Sequence, residues 1–157
     1  LGLGFIGLVD FLSEKRAKAL QMGADAVFAP DDTALVNWRG LRGKPLDAVI
    51  DAVGREGIIN AALPLIRMAG SVCVYGVIDT HSVLLEKIRG PYNFNLLIHQ
   101  WPTRLREAAA QEPLCAWIAE GKLSHTEFLS AEYPIAGINV ALENAKSGLP
   151  IKTLLRF

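Results

Sequence analysis

Phe5-Ile6-Gly7-Leu8-Val9-Asp10 is an apolar run closed by an acid. That is the form of a buried parallel strand whose last residue emerges at the carboxyl edge of a sheet. Leu46 to Val53, running into Gly54, and Ser71 to Val77, with Gly76 near its end, read as further apolar strands that end in glycine instead of an acid. Parallel α/β sheets bind ligands at that edge, so Asp10, Gly54 and Gly76 mark a candidate site. Overlapping the first run, Gly2-Leu3-Gly4-Phe5-Ile6-Gly7 spells G-x-G-x-x-G. A phosphate-binding loop needs those glycines after a strand and at the start of a helix, with a ribose-binding acid about 20 residues further on. Asp10 lies only three residues past Gly7, and the match runs into a strand, so the spelling is a coincidence.

No other cluster offers chemistry of its own. His81, His99 and His125 are scattered, and Cys73 and Cys115 lie too far apart for a zinc quartet or a small disulfide framework. The expectation is no metal site and two cysteines that are reduced and buried. Tyr75, Tyr92 and Tyr133 are followed four residues on by Asp79, Leu96 and Gly137, so the Tyr-x-x-x-Lys pair of short-chain dehydrogenases is absent. No catalytic acid, base or metal ligand is identified.

The elements that must position these residues alternate. After the first strand, Ser13 reads as an N-cap and Glu14 to Met22 as a helix stopped by Gly23. Ala24 to Phe28 is a second strand, closed by Pro30-Asp31-Asp32. Thr33 to Arg42 is ambiguous, with helical character, and Gly43-Lys44-Pro45 ends it. The strand Leu46 to Val53 precedes a helix expected over Glu56 to Met68, with Gly70 as its stop, and then the strand Ser71 to Val77. Asn93 to Gln100 is a further strand. Thr103 to Glu120 is helical, with Pro113 expected to start a second helix. A helix at Ile138 to Lys146, stopped by Gly148, and a strand at Ile151 to Phe157 complete the chain. Strand–helix alternation at this spacing implies right-handed βαβ units and a doubly wound parallel α/β sheet.

Composition agrees with one globular domain: 157 residues, 51% hydrophobic and 20% charged, with Lys+Arg 16 against Asp+Glu 16. A balanced charge excludes a basic nucleic-acid binder, and so high an apolar fraction excludes a disordered chain. A mean hydropathy of +0.27 leaves apolar surface for something outside the chain to cover. No apolar run reaches a membrane span and no signal peptide opens the chain, so a cytoplasmic location is expected.

With these residues in place, the chain resembles the medium-chain, alcohol-dehydrogenase-like (zinc-type) family. The resemblance runs through Gly7-Leu8-Val9-Asp10, Ser13-Glu14-Lys15-Arg16-Ala17-Lys18-Ala19 and Met22-Gly23-Ala24-Asp25. It continues at Asp47-Ala48-Val49-Ile50-Asp51-Ala52-Val53-Gly54, at Ala69-Gly70-Ser71-Val72 through Gly76-Val77, and at Ile151-Lys152-Thr153-Leu154-Leu155-Arg156-Phe157. The implied fold is Rossmann-like, lacking its first strand, glycine loop and most of its first helix. Residues 1–125 would be the dinucleotide-binding domain, incomplete at its N-terminus, and residues 126–157 a segment returning to an absent catalytic domain that carries the zinc.

The resemblance also implies roles. Asp10 would accept hydrogen bonds from the adenosine ribose hydroxyls and repel a 2′-phosphate, favouring NAD over NADP. Lys15 would reach the same ribose. Ala52, Val53 and Gly54 would let the adenosine approach, with Arg55 over the adenine. Gly76, Val77 and Ile78 would hold the nicotinamide carboxamide through their backbone, with Asn95 to His99 opposite. Lys152 stands where the family often has Arg reaching the pyrophosphate, and offers a point charge instead of a fork. Each also has a plainer reading: a solvated acid, a solvated helix lysine, an ordinary strand-to-helix turn. The implied activity is hydride transfer between a secondary alcohol or polyol and NAD, in a homo-oligomer. Two alternatives stay open: a zinc-independent quinone-reductase-like oxidoreductase, and a non-catalytic binding or assembly module.

Overall fold

The computed structural model describes residues 3–36, 44–99 and 104–157. In chain order its elements are β1 (Gly7–Val9), α1 (Ser13–Gln21), β2 (Ala26–Phe28), α2 (Thr33–Val36), β3 (Leu46–Asp51), α3 (Glu56–Ala62), β4 (Ile66–Val74), β5 (Asn95–Ile98), α4 (Arg104–Ala119), β6 (Leu129–Pro134), α5 (Ile138–Lys146) and β7 (Lys152–Arg156). The ambiguous stretch from Thr33 to Arg42 is helical as far as Val36. The rest of that stretch, Gly43, Gln100, Thr103 and the first glycine of the G-x-G-x-x-G spelling lie outside the described residues.

Two compact units result: Leu1–Asp32 with Leu105–Phe157, and Thr33–Arg104. Every ladder is parallel, as expected of strands joined by helical crossovers. In the continuous unit the strand order is β3-β4-β5. Val72 and Val74 of β4 alternate onto one face and meet Ile59, Ala62, Leu63 and Ile66 in a fully buried core, with Val49, Leu96 and Phe94 packed around it. The discontinuous unit holds two separate pairs, β1-β2 and β6-β7, and far less buried apolar surface: Phe28 and Ala141 alone among its described residues. This is the α/β, Rossmann-like class expected.

The structure corrects several expectations. The helix expected to reach Met68 ends at Ala62, because Pro64 has no N–H to continue it. A single 3-10 turn, Leu63–Leu65, then leads into β4, which starts at Ile66 instead of Ser71. Gly70 is therefore no helix stop. It lies in a bulge where the β3–β4 register jumps from Leu46↔Ile66 to Ala48↔Ser71, and a Cβ there would sit 2.8 Å from the Arg67 carbonyl oxygen. The left-handed residue of the bulge is Ala69, at φ 59°. Gly23 and Gly148 are stops as expected, at φ 99° and 73°.

Ser13 is the first residue of α1, not its cap; Leu12 takes that place with no side-chain cap bond. Pro113 sits inside one continuous helix, α4, and starts no second one. All of α4 is exposed, so water can serve the carbonyl that a proline leaves without a donor. The cysteines are free but not buried as expected: Cys73 is half-buried, since β4 turns it away from the Val72–Val74 face, and Cys115 is exposed on α4. The strand β6, over Leu-Ser-Ala-Glu-Tyr-Pro, is an element that the sequence pattern does not predict. It forms by pairing with β7, from Leu129↔Lys152 to Pro134↔Arg156.

Candidate cofactor-binding site

Asp10 follows β1, its N–H still bonded to the Phe28 carbonyl at 3.2 Å. Its Oδ1 accepts the Leu12 N–H at 2.8 Å, closing an Asx turn that leads into α1. Arg16, from the first turns of α1, donates through Nη1 to the carbonyls of Asp10 at 2.7 Å and Phe11 at 2.8 Å, which pins the turn. The carboxylate is half-buried, and its Oδ2 has no hydrogen-bond partner among the described residues. One oxygen thus fixes the side chain while the other stays available to a hydroxyl donor.

Lys15 is half-buried on a cleft of about 220 Å³ in the same unit. Glu14 and Lys18 of α1 line it on one side, and Ser130, Leu149 and Ile151 on the other. Lys18 is ion-paired with Glu127, whereas Lys15 has no carboxylate partner among the described residues. The Glu14 carboxyl is held below the usual range, first by its own backbone N–H and then by the Ser13 hydroxyl, so the cleft carries both signs of charge at neutral pH. Lys152 is exposed at the start of β7, next to the cleft residue Ile151. Lys15 lines this cleft and Lys152 does not.

In the other unit, the ends of β3 and β4 interlock. Gly54, at φ 86°, has no room for a side chain: a Cβ would lie 2.5 Å from the Val77 carbonyl oxygen. A Cβ on Gly76 would lie 2.3 Å from the Gly54 nitrogen. The space these glycines leave open is thus taken by each other's backbone. Ala52, Val53, Arg55 and Val77 are exposed around this contact, and the Arg55 side chain has no ion pair among the described residues. Ile78 packs its side chain against the core. Asn95–Ile98 is β5, paired with Ser71–Val74, and the His99 N–H bonds the Val74 carbonyl at 2.8 Å.

Sequence reasoning misses one residue of this edge, Asp51. It is 2% exposed, and its Oδ1 accepts the N–H groups of Val53 at 2.8 Å and Gly54 at 3.0 Å. A signal for it is present in the sequence: Asp51, like Asp10, stands at the end of an apolar strand just before a turn. Burial separates the two acids, since only Asp10 can be reached from solvent.

Among the described residues no group of three or more His, Cys, Asp or Glu could hold a metal ion. The described donor set therefore does not fit zinc. The turn at Asp10, with one carboxylate oxygen uncommitted, does fit a ribose diol.

Comparison with known proteins agrees with this fold. The zinc-binding dehydrogenase family model matches residues 1–100. D-arabitol-phosphate dehydrogenase of Enterococcus avium is 25% identical over 159 residues, covering 91% of this chain and 40% of the relative. Sorbitol dehydrogenase of Bombyx mori is 25% identical over 166 residues, covering 99% of this chain and 44% of the relative. The chain thus spans less than half the length of either. A short chain alcohol dehydrogenase from E. coli CFT073, solved in complex with NADH, superposes with a TM-score of 0.80 at 18% identity, over 99% of this chain and 45% of that one.

Proposed function

From the premise that the chain belongs to the zinc-binding dehydrogenase family, we propose that it supplies the adenosine side of a nicotinamide dinucleotide site in an alcohol or polyol dehydrogenase. Asp10 carries this reading. It is an acid at the carboxyl end of a parallel strand, held by Leu12 and Arg16, with Oδ2 free among the described residues to accept from a ribose hydroxyl. Lys15 and Lys152 add positive charge on the same unit. In the other unit, Ala52 to Arg55 and Gly76 to Ile78 form a second edge of their own, where the exposed Ala52, Val53, Arg55 and Val77 are the candidate contacts for a dinucleotide. On this reading residues 1–125 are dinucleotide-binding and 126–157 lead toward substrate-binding parts. NAD supplies the hydride acceptor; this chain's own residues bind and orient it.

The two curated relatives act on a polyol and a polyol phosphate, by their names, which supports a secondary alcohol substrate. The NADH in the structural neighbour supports the cofactor. The test is titration with NADH and NADPH. The parent protein should prefer NADH, and Asp10→Ala should weaken NADH binding by about 1.5 to 3 kcal/mol, roughly 10 to 150-fold, as a charge-assisted bond is lost. Equal affinity of the parent protein for the two dinucleotides would refute the assignment.

A further inference from the structure

The two loops of the second edge share one organiser. Asp51 lies at the end of β3, 2% exposed. Its side chain accepts the Val53 and Gly54 N–H groups through Oδ1, and its backbone carbonyl accepts those of Tyr75 at 2.8 Å and Gly76 at 3.0 Å. One residue thus receives four amide donors, two from each loop. The interlock of Gly54 and Gly76 couples the loops a second time, because neither backbone can shift without the other's giving way.

We infer that Asp51 is a positioning residue for the cofactor edge: it holds residues 52–55 and 75–77 in the single form that would receive the dinucleotide. The inference rests on the cofactor reading given above. Its carboxylate acts from beneath the exposed surface of Ala52, Val53 and Arg55 and makes no contact with ligand itself. Oδ2 is buried and without a partner among the described residues, so the side chain works through Oδ1 alone. Asparagine keeps that oxygen; alanine does not. Asp51→Asn should therefore preserve the edge, and Asp51→Ala should lose it.

Two readouts on the same proteins decide the matter, both taken well below each variant's melting temperature so that only folded protein is compared. The first needs no ligand. Amide hydrogen exchange in Asp51→Ala should quicken by about tenfold at Val53 and Gly54 and, through the glycine interlock, at Gly76, whose N–H bonds the Asp51 carbonyl, while the β4 core amides Val72 and Val74 stay protected. Asp51→Asn, which keeps the acceptor but puts an amide NH2 where Oδ2 has no partner among the described residues, should stay closer to the parent than Asp51→Ala does. The second is the Kd for NADH. If the ordered edge falls to about one molecule in ten, Kd rises about tenfold in Asp51→Ala and recovers in Asp51→Asn. Unchanged exchange in Asp51→Ala, equal damage by both variants, or a lowered melting temperature with Kd unchanged would each overturn the positioning role. Failure of the parent protein to bind NADH while its exchange pattern is as expected would instead overturn the cofactor reading.

Discussion

At the scale of single residues, identical amino acids divide into different tasks by their surroundings. Asp10 and Asp51 make the same Asx turn, yet Asp10 is reachable and Asp51 is sealed. The glycines divide in the same way. Gly54→Ala combines a left-handed backbone with a backbone clash and should destabilise the protein by about 2 to 5 kcal/mol, while Gly76→Ala, with the clash alone, should cost about 1 to 3 kcal/mol. Gly57, in α3, has nothing within 4 Å of its missing Cβ, so Gly57→Ala should stabilise by about 0.5 to 1 kcal/mol. Thermal or denaturant unfolding of the three variants checks the ranking. A Gly76→Ala protein as stable as its parent would contradict the interlock.

At the scale of elements, the bulge in β4 offers a sharper test. Ala69 bears a left-handed φ that favours glycine, so Ala69→Gly should raise stability by about 1 kcal/mol, read as a higher denaturant midpoint at unchanged slope. That bulge also shows where the sequence stops being legible. Strands such as β1 and β3 announce themselves, because a short apolar run closed by an acid or a glycine turn has few other readings. Ile58, Ile59, Ala62, Leu65 and Ile66 keep helical spacing, but Pro64 ends the helix partway and the apolar residues beyond it serve β4 instead. Periodicity alone cannot reveal that change. β6 is hidden for another reason: its alternation of small and polar residues becomes a strand only by pairing with β7. Asp10, Gly54 and Gly76 are legible at their strand ends. Asp51 is not, because its task is a turn, not an exposed contact.

At the scale of the whole molecule, β1 has β2 as its one ladder partner and β3 has β4, so each has an open edge among the described strands. Ile50 on β3 is 71% exposed. An apolar edge strand invites pairing, so the protein should self-associate, with a sedimentation mass that rises with concentration. Ile50→Lys should lower that association. A dilution-independent monomer would count against edge pairing. The division into units has a consequence for how the protein is made. The unit Thr33–Arg104 is continuous, whereas its companion joins Leu1–Asp32 to Leu105–Phe157. On the ribosome the later-starting unit is thus complete first, and the segment carrying Asp10 must wait for Leu105–Phe157 before its own unit can close. Synthesis therefore lets the inserted unit fold ahead of the segment that precedes it, against the usual order along a chain.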